Sequence, residues 1–83
     1  IIFIKKENKK MESELEEKLQ AIYNLSVDVK YIDLRKYQIN VIMNSNKIEI
    51  LYLWDAHYTE DENIRRICDI IDRFILKVYK KEN

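Results

Sequence analysis

The sequence predicts an α+β fold, a two-layer sandwich of helix, three-stranded antiparallel meander and helix (αβββα), with both helices on one face of the sheet. Three observations point there. Ile64, Ile67, Cys68, Ile71, Phe74, Ile75 and Val78 recur at i, i+3, i+4 and i+7, which places them on one stripe of a long amphipathic helix. Between residues 27 and 54 the apolar side chains switch to a period of two, the repeat of half-buried strands. The chain has 83 residues, 47% of them hydrophobic, which suffices for one small core.

The first ten residues are the least regular. Ile1 to Ile4 has the composition of a short β-strand, and Lys5 to Lys10 that of a solvated basic linker, which leaves residues 11–83 as the single αβββα domain. Lys6-Glu7-Asn8-Lys9-Lys10 has purine-rich codons, as a ribosome-binding site would, and stands just before Met11. Residues 1–10 are therefore expected to be either a leader foreign to the native protein or an ordinary N-terminal segment.

From Met11 to Asn24 the residues Met11, Leu15, Leu19, Ile22 and Tyr23 follow a helical period, with Glu14 and Lys18 paired on the wet side. Ser13 with Glu16 forms a capping box, a second possible start. Asn24 is the expected stop, because in a chain without glycine asparagine best tolerates the left-handed position that ends a helix.

Three strands follow. Val27, Val29 and Tyr31 alternate with Asp28, Lys30 and Ile32, and Tyr37, Ile39, Val41 and Met43 with Gln38, Asn40, Ile42 and Asn44. In the third run Ile48, Ile50, Tyr52 and Trp54 alternate with Glu49, Leu51 and Leu53, so both faces are largely apolar and its own pattern leaves the buried side open. Asn44-Ser45-Asn46-Lys47 fits a tight hairpin with asparagine supplying positive φ, and residues 33–36 form the other hairpin. The last helix spans Thr59 to Lys81. Thr59 and Glu62 make its capping box, Glu60, Asp61 and Glu62 meet the positive end of its dipole, and Lys77, Lys80 and Lys81 meet the negative end. Asp61/Arg65, Glu62/Arg66, Arg65/Asp69 and Asp69/Arg73 mark its solvated side.

Composition excludes several classes. Fifteen Lys and Arg balance fifteen Asp and Glu, which is neither a disordered polyelectrolyte nor a strongly basic nucleic-acid coat. The one cysteine, Cys68, cannot form an internal disulfide and falls on the apolar stripe as a small buried hydrophobe, as expected in a reducing, cytoplasmic compartment. No apolar run approaches the roughly 20 residues of a membrane span. Glycine and proline are absent while Ile, Lys, Asn and Tyr abound, a composition favoured by AT-rich genomes.

If Val29, Ile39, Val41, Ile50 and Tyr52 face the helices, Ile32, Ile42, Leu51 and Leu53 emerge together on the other side of the sheet, interrupted only by Lys30, Asn40 and Glu49, an apolar patch that wants a cover. Trp54, His57 and Tyr58, with Tyr37 and Tyr52, gather aromatic and polar-tipped side chains at the end of the third strand, where interfaces are often anchored. His57 and Asp55 suggest neither a metal site nor a cofactor site, since zinc needs three or four ligands and no Cys/His cluster supplies them. Catalysis is not expected, because no phosphate-cradling glycine loop and no nucleophile at a recognisable spacing from a base is present.

The element order resembles that of PD-(D/E)xK nucleases, whose third strand carries an acidic-x-lysine signature; Glu49-Ile50-Leu51 has leucine where the lysine would stand. It also resembles the double-stranded-RNA-binding domain, which reads A-form RNA by shape. That resemblance implies nucleic-acid binding, for which the basic residues would be Lys77, Lys80 and Lys81, since the last helix opens with Glu60, Asp61 and Glu62. The leading expectation is a non-enzymatic protein-binding module, a small regulator or inhibitor of the kind carried by phages and mobile elements. Its partner would be another protein or a second copy of itself, held by Ile32, Ile42, Leu51, Leu53, Trp54, His57 and Tyr58.

Overall fold

The structure, a computed structural model, describes the backbone of residues 2–82 and the side chains of residues 11–81. Helix α1 (Ile2–Tyr23) is followed by strands β1 (Ser26–Asp33), β2 (Lys36–Met43) and β3 (Asn46–Leu53) and by helix α2 (Glu60–Glu82). The strands form an open antiparallel meander in the order β1-β2-β3. Helix α1 lies along β1 and α2 lies over β2 and β3. No helix among the described residues is long and apolar enough to cross a membrane.

One core joins the two layers. Val27, Val29, Tyr37, Ile39, Val41, Ile50 and Tyr52 come from the sheet, Leu15 and Leu19 from α1, and Ile64, Ile67, Ile71, Phe74 and Val78 from α2. The open side of β3 is settled by its turn. Asn44 and Ser45, with φ of 49° and 68°, make a two-residue loop that pairs Met43 with Asn46. Pairing then runs Ile39 with Ile50 and Tyr37 with Tyr52, so the even-numbered residues of β3 share the buried face with the odd-numbered residues of β2. Leu34 and Arg35 close the other hairpin, also at positive φ, 42° and 67°. Asn24 ends α1 as expected, at φ 53° with its N–H donating to the Gln20 carbonyl at 2.7 Å.

The N-terminal segment differs from expectation. Residues 2–10 are the first turns of α1, where a strand at Ile2–Ile4 and a linker at Lys5–Lys10 were expected; Ile1 lies outside the described residues. The physical reason is the absence of any stop: between Ile2 and Asn24 there is no glycine or proline and many Lys and Glu, so a helix started by packing propagates. Ser13 and Glu16 accordingly sit inside the helix and cap nothing. Thr59 does cap α2, its hydroxyl accepting from the Glu62 N–H at 3.1 Å. Lys18 does not pair with Glu14 in its own helix but with Glu60 at the start of α2, which ties the two helices together.

Candidate protein-binding surface

The face of the sheet turned away from the helices carries the four predicted aliphatics, all exposed: Leu51 at 68%, Leu53 at 54%, Ile32 at 48% and Ile42 at 44%. Register separates them. Across β1, β2 and β3 the rows on this face read Ser26-Ile42-Lys47, Asp28-Asn40-Glu49 and Lys30-Gln38-Leu51, with Lys36 opposite Leu53 at the end. Ile42 is therefore cut off from Leu51 by the Asn40-Glu49 row. Ile32 falls in the irregularity between Tyr31 and Asp33, on the far side of Lys36 from Leu53. The expected patch, interrupted by Lys30, Asn40 and Glu49, resolves into a Leu51–Leu53 pair at one corner, with two isolated isoleucines in a polar surround.

The aromatic group lies elsewhere. Trp54 continues the buried phase of β3 and meets Tyr37 and Tyr52 edge to face, with ring centroids 5.8 and 6.4 Å apart, while Tyr31 meets Tyr37 at 5.4 Å. Together with Met11, Glu14, Leu15 and Glu60, Tyr37 and Trp54 line a cleft of about 350 Å³ between the helices and the end of the sheet. Trp54 is thus separated from Leu51 and Leu53 by the sheet itself. His57 is exposed on the loop after β3, and its contact with Asp55 is through its backbone N–H, 2.8 Å from Oδ1. Tyr58 is held by Arg66, whose guanidinium lies 4.1 Å from the ring centre and donates to the phenol oxygen at 2.6 Å. The seven residues expected in one interface are spread over the open face of the sheet, the cleft and the loop after β3.

Two sets of residues escape the periodic reading. Asn63 sits on the stripe of α2 and is fully buried, yet it is fully bonded: its Oδ1 accepts from the Tyr52 hydroxyl at 2.7 Å and the Asp55 N–H at 3.0 Å, and its Nδ2 donates to the carbonyls of Asp55 at 2.9 Å and Thr59 at 3.0 Å. It locks the loop after β3 onto α2. A polar residue in an apolar stripe was the one sign of it. The second set is Glu12, Glu16 and Gln20, one helical turn apart on α1. Glu16 Oε1 accepts from the Val29 N–H at 2.9 Å, Glu12 accepts from the Tyr31 N–H, and Gln20 donates to the Val27 carbonyl at 2.8 Å. Those backbone groups are the ones an edge strand would otherwise leave bare, so α1 closes the β1 edge.

The same bonds set the phase of the whole ladder. Val27, Val29 and Tyr31 direct their backbone groups outward, so Asp28 and Lys30 make the bonds to β2. Alternation across β2 then assigns the bonds with β3 to the pairs Tyr37–Tyr52, Ile39–Ile50 and Val41–Ile48. The Trp54 N–H, donating to the Arg35 carbonyl at 2.8 Å, is the next bond in that series. The N–H and C=O groups of Lys47, Glu49, Leu51 and Leu53 consequently point away from the sheet, and among the described residues nothing bonds to them.

Electrostatics add little chemistry. Burial raises the phenols of Tyr37 and Tyr52, and burial with hydrogen bonds to Asp72 and the Cys68 carbonyl raises that of Tyr23, so all three are neutral donors. Burial likewise raises the Cys68 thiol, which keeps it protonated and unreactive near neutral pH. Among the described residues no three of His, Cys, Asp and Glu are grouped so as to hold a metal ion. Lys77, Lys80 and Lys81 are exposed on the last turns of α2. Compared with known proteins, the chain matches no family model, no curated protein and no solved structure.

Proposed function

We propose that this chain is a non-enzymatic protein-binding module, a small regulator or inhibitor, that engages another protein with the β3 corner of its open sheet face. The observation that carries this reading is the pair Leu51 and Leu53. They stand side by side on one strand, more than half exposed, while every aliphatic on the opposite face of the sheet is at least partly covered. Removing the rest of each leucine from water is worth about 1–2 kcal/mol, a gain that an adjoining protein surface supplies.

The test compares the wild type with Leu51→Glu/Leu53→Glu and with Leu76→Glu, a control on α2 that is also exposed. All three should give the same circular dichroism and the same melting temperature. Partners from an extract of the source organism, or a dimer mass in light scattering, should be retained by wild type and by Leu76→Glu and lost by the β3 variant. Retention of the same partners and the same mass by all three proteins overturns the reading.

A further inference from the structure

Resting on the protein-binding reading, the geometry points to a more specific occupant: an extended, acidic segment of a partner protein that adds to β3 as a fourth strand. Two features on the β3 side meet at one place. The first is the row of outward backbone groups of Lys47, Glu49, Leu51 and Leu53, spaced at strand intervals and left open, whereas α1 closes the equivalent row on β1. An unpaired edge of this kind is a template for a further strand.

The second feature is the flank of α2 that overlooks that edge. The sheet-facing side of α2 is defined by Ile64, Ile67, Ile71, Phe74 and Val78, and the side toward α1 by Glu60, which pairs with Lys18, and by Asp72 and the Cys68 carbonyl, which Tyr23 contacts. At 100° per residue the remaining flank, away from α1 and towards β3, carries Arg66, half-buried Ile70, Lys77 and Lys81, with Arg73 beside it on the solvated side. Arg66 stacks on Tyr58 in the loop that joins β3 to α2. Among the described residues the only ion pair is Lys18 with Glu60, so this basic flank has no carboxylate bound to it. From Arg66 to Lys81 it runs about 22 Å, close to the roughly 26 Å of β3.

A strand added here alternates in register with β3. Residues opposite Leu51 and Leu53 lie on the open face and should be aliphatic, while their neighbours point up beneath the basic flank and should be Asp or Glu. A second copy of this chain is a poor occupant, because antiparallel pairing of two β3 edges, about a twofold axis normal to the sheet, would set two basic flanks of α2 face to face. A nucleic acid would meet the cations but would leave the backbone row and both leucines unsatisfied.

The test is a ¹⁵N NMR titration of the full chain with three probes: a capped peptide of alternating Glu and Val as long as β3, a peptide of the same composition with all Glu before all Val, and a short RNA duplex. The alternating peptide should shift the amides of Lys47, Glu49, Leu51 and Leu53 and slow their hydrogen exchange. Its affinity should fall by about tenfold or more in Arg73→Glu/Lys77→Glu, whose exposed sites leave the fold intact. Equal binding of the block peptide, tighter binding of RNA, shifts confined to other residues or an unchanged affinity in the charge-reversed variant each overturn the inference. If the alternating peptide fails while Leu51→Glu/Leu53→Glu still loses its natural partner, edge pairing falls and the protein-binding reading stands.

Discussion

Replacing Asn63 by alanine should be among the most damaging single changes available in this chain. The substitution deletes the acceptor of the Tyr52 hydroxyl and of the Asp55 N–H and the donor to the Asp55 carbonyl, all at a position with no solvent exposure. The Thr59 carbonyl keeps the backbone N–H of residue 63 at 3.1 Å and is not orphaned. Three partners left short of a bond in a buried site cost about 3–5 kcal/mol together. A domain of this size has about 4–12 kcal/mol in all, so the melting temperature should fall by about 15–30 °C. Urea unfolding followed by circular dichroism and by the fluorescence of Trp54, the single tryptophan, measures this directly. Tyr52→Phe alone should cost about 1 kcal/mol, and because the two residues share a bond the double variant should cost less than the sum. A loss below about 1 kcal/mol for Asn63→Ala, or strict additivity with Tyr52→Phe, would refute the account of Asn63 as the lock between the β3 loop and α2.

Two further outcomes concern strain and ionisation. Leu34 and Arg35 hold positive φ without being glycine or asparagine, so Leu34→Asn/Arg35→Gly should raise the urea midpoint by the equivalent of about 1–2 kcal/mol, and Arg35→Ile should lower it. For Tyr23, Tyr37 and Tyr52 the folded-state pKa lies above the unfolded value near 10, so the unfolded chain releases protons first. Their contribution is fully present below pH 10 and is lost as pH rises beyond it. Stability measured in urea should be flat from pH 7 to 9 as far as tyrosine is concerned, then fall as pH rises above 10. Replacing Tyr37 and Tyr52 by Phe should flatten that fall, and an unchanged slope would show that these phenols are not held neutral by the fold.

What the amino-acid pattern alone determined is everything that depends on local periodicity and chain reversal. The stripe of α2, the Thr59 cap, the asparagine stop at residue 24 and the phases of β1 and β2 follow from spacing and from which residues accept positive φ. Even the buried side of β3, ambiguous in its own doubly apolar run, was implicit in the two-residue Asn44-Ser45 turn, because a turn of that length ties the parity of one strand to the next. Other features were decided only when elements met in three dimensions. Glu12, Glu16 and Gln20 look like ordinary solvated positions until α1 lies along β1 and their polar tips reach its backbone. Nothing local stops the helix through residues 2–10, and their Lys and Glu favour it, so whether they form a strand or continue α1 was decided by propagation along the helix. Trp54 and Leu53 are neighbours in sequence but stand on opposite faces of the sheet, and Ile42 and Leu51 share a face but not a neighbourhood. Periodicity assigns each side chain to a face, whereas adjacency on that face depends on cross-strand register and on which helix covers which edge, and those arise from contacts between residues far apart in the chain.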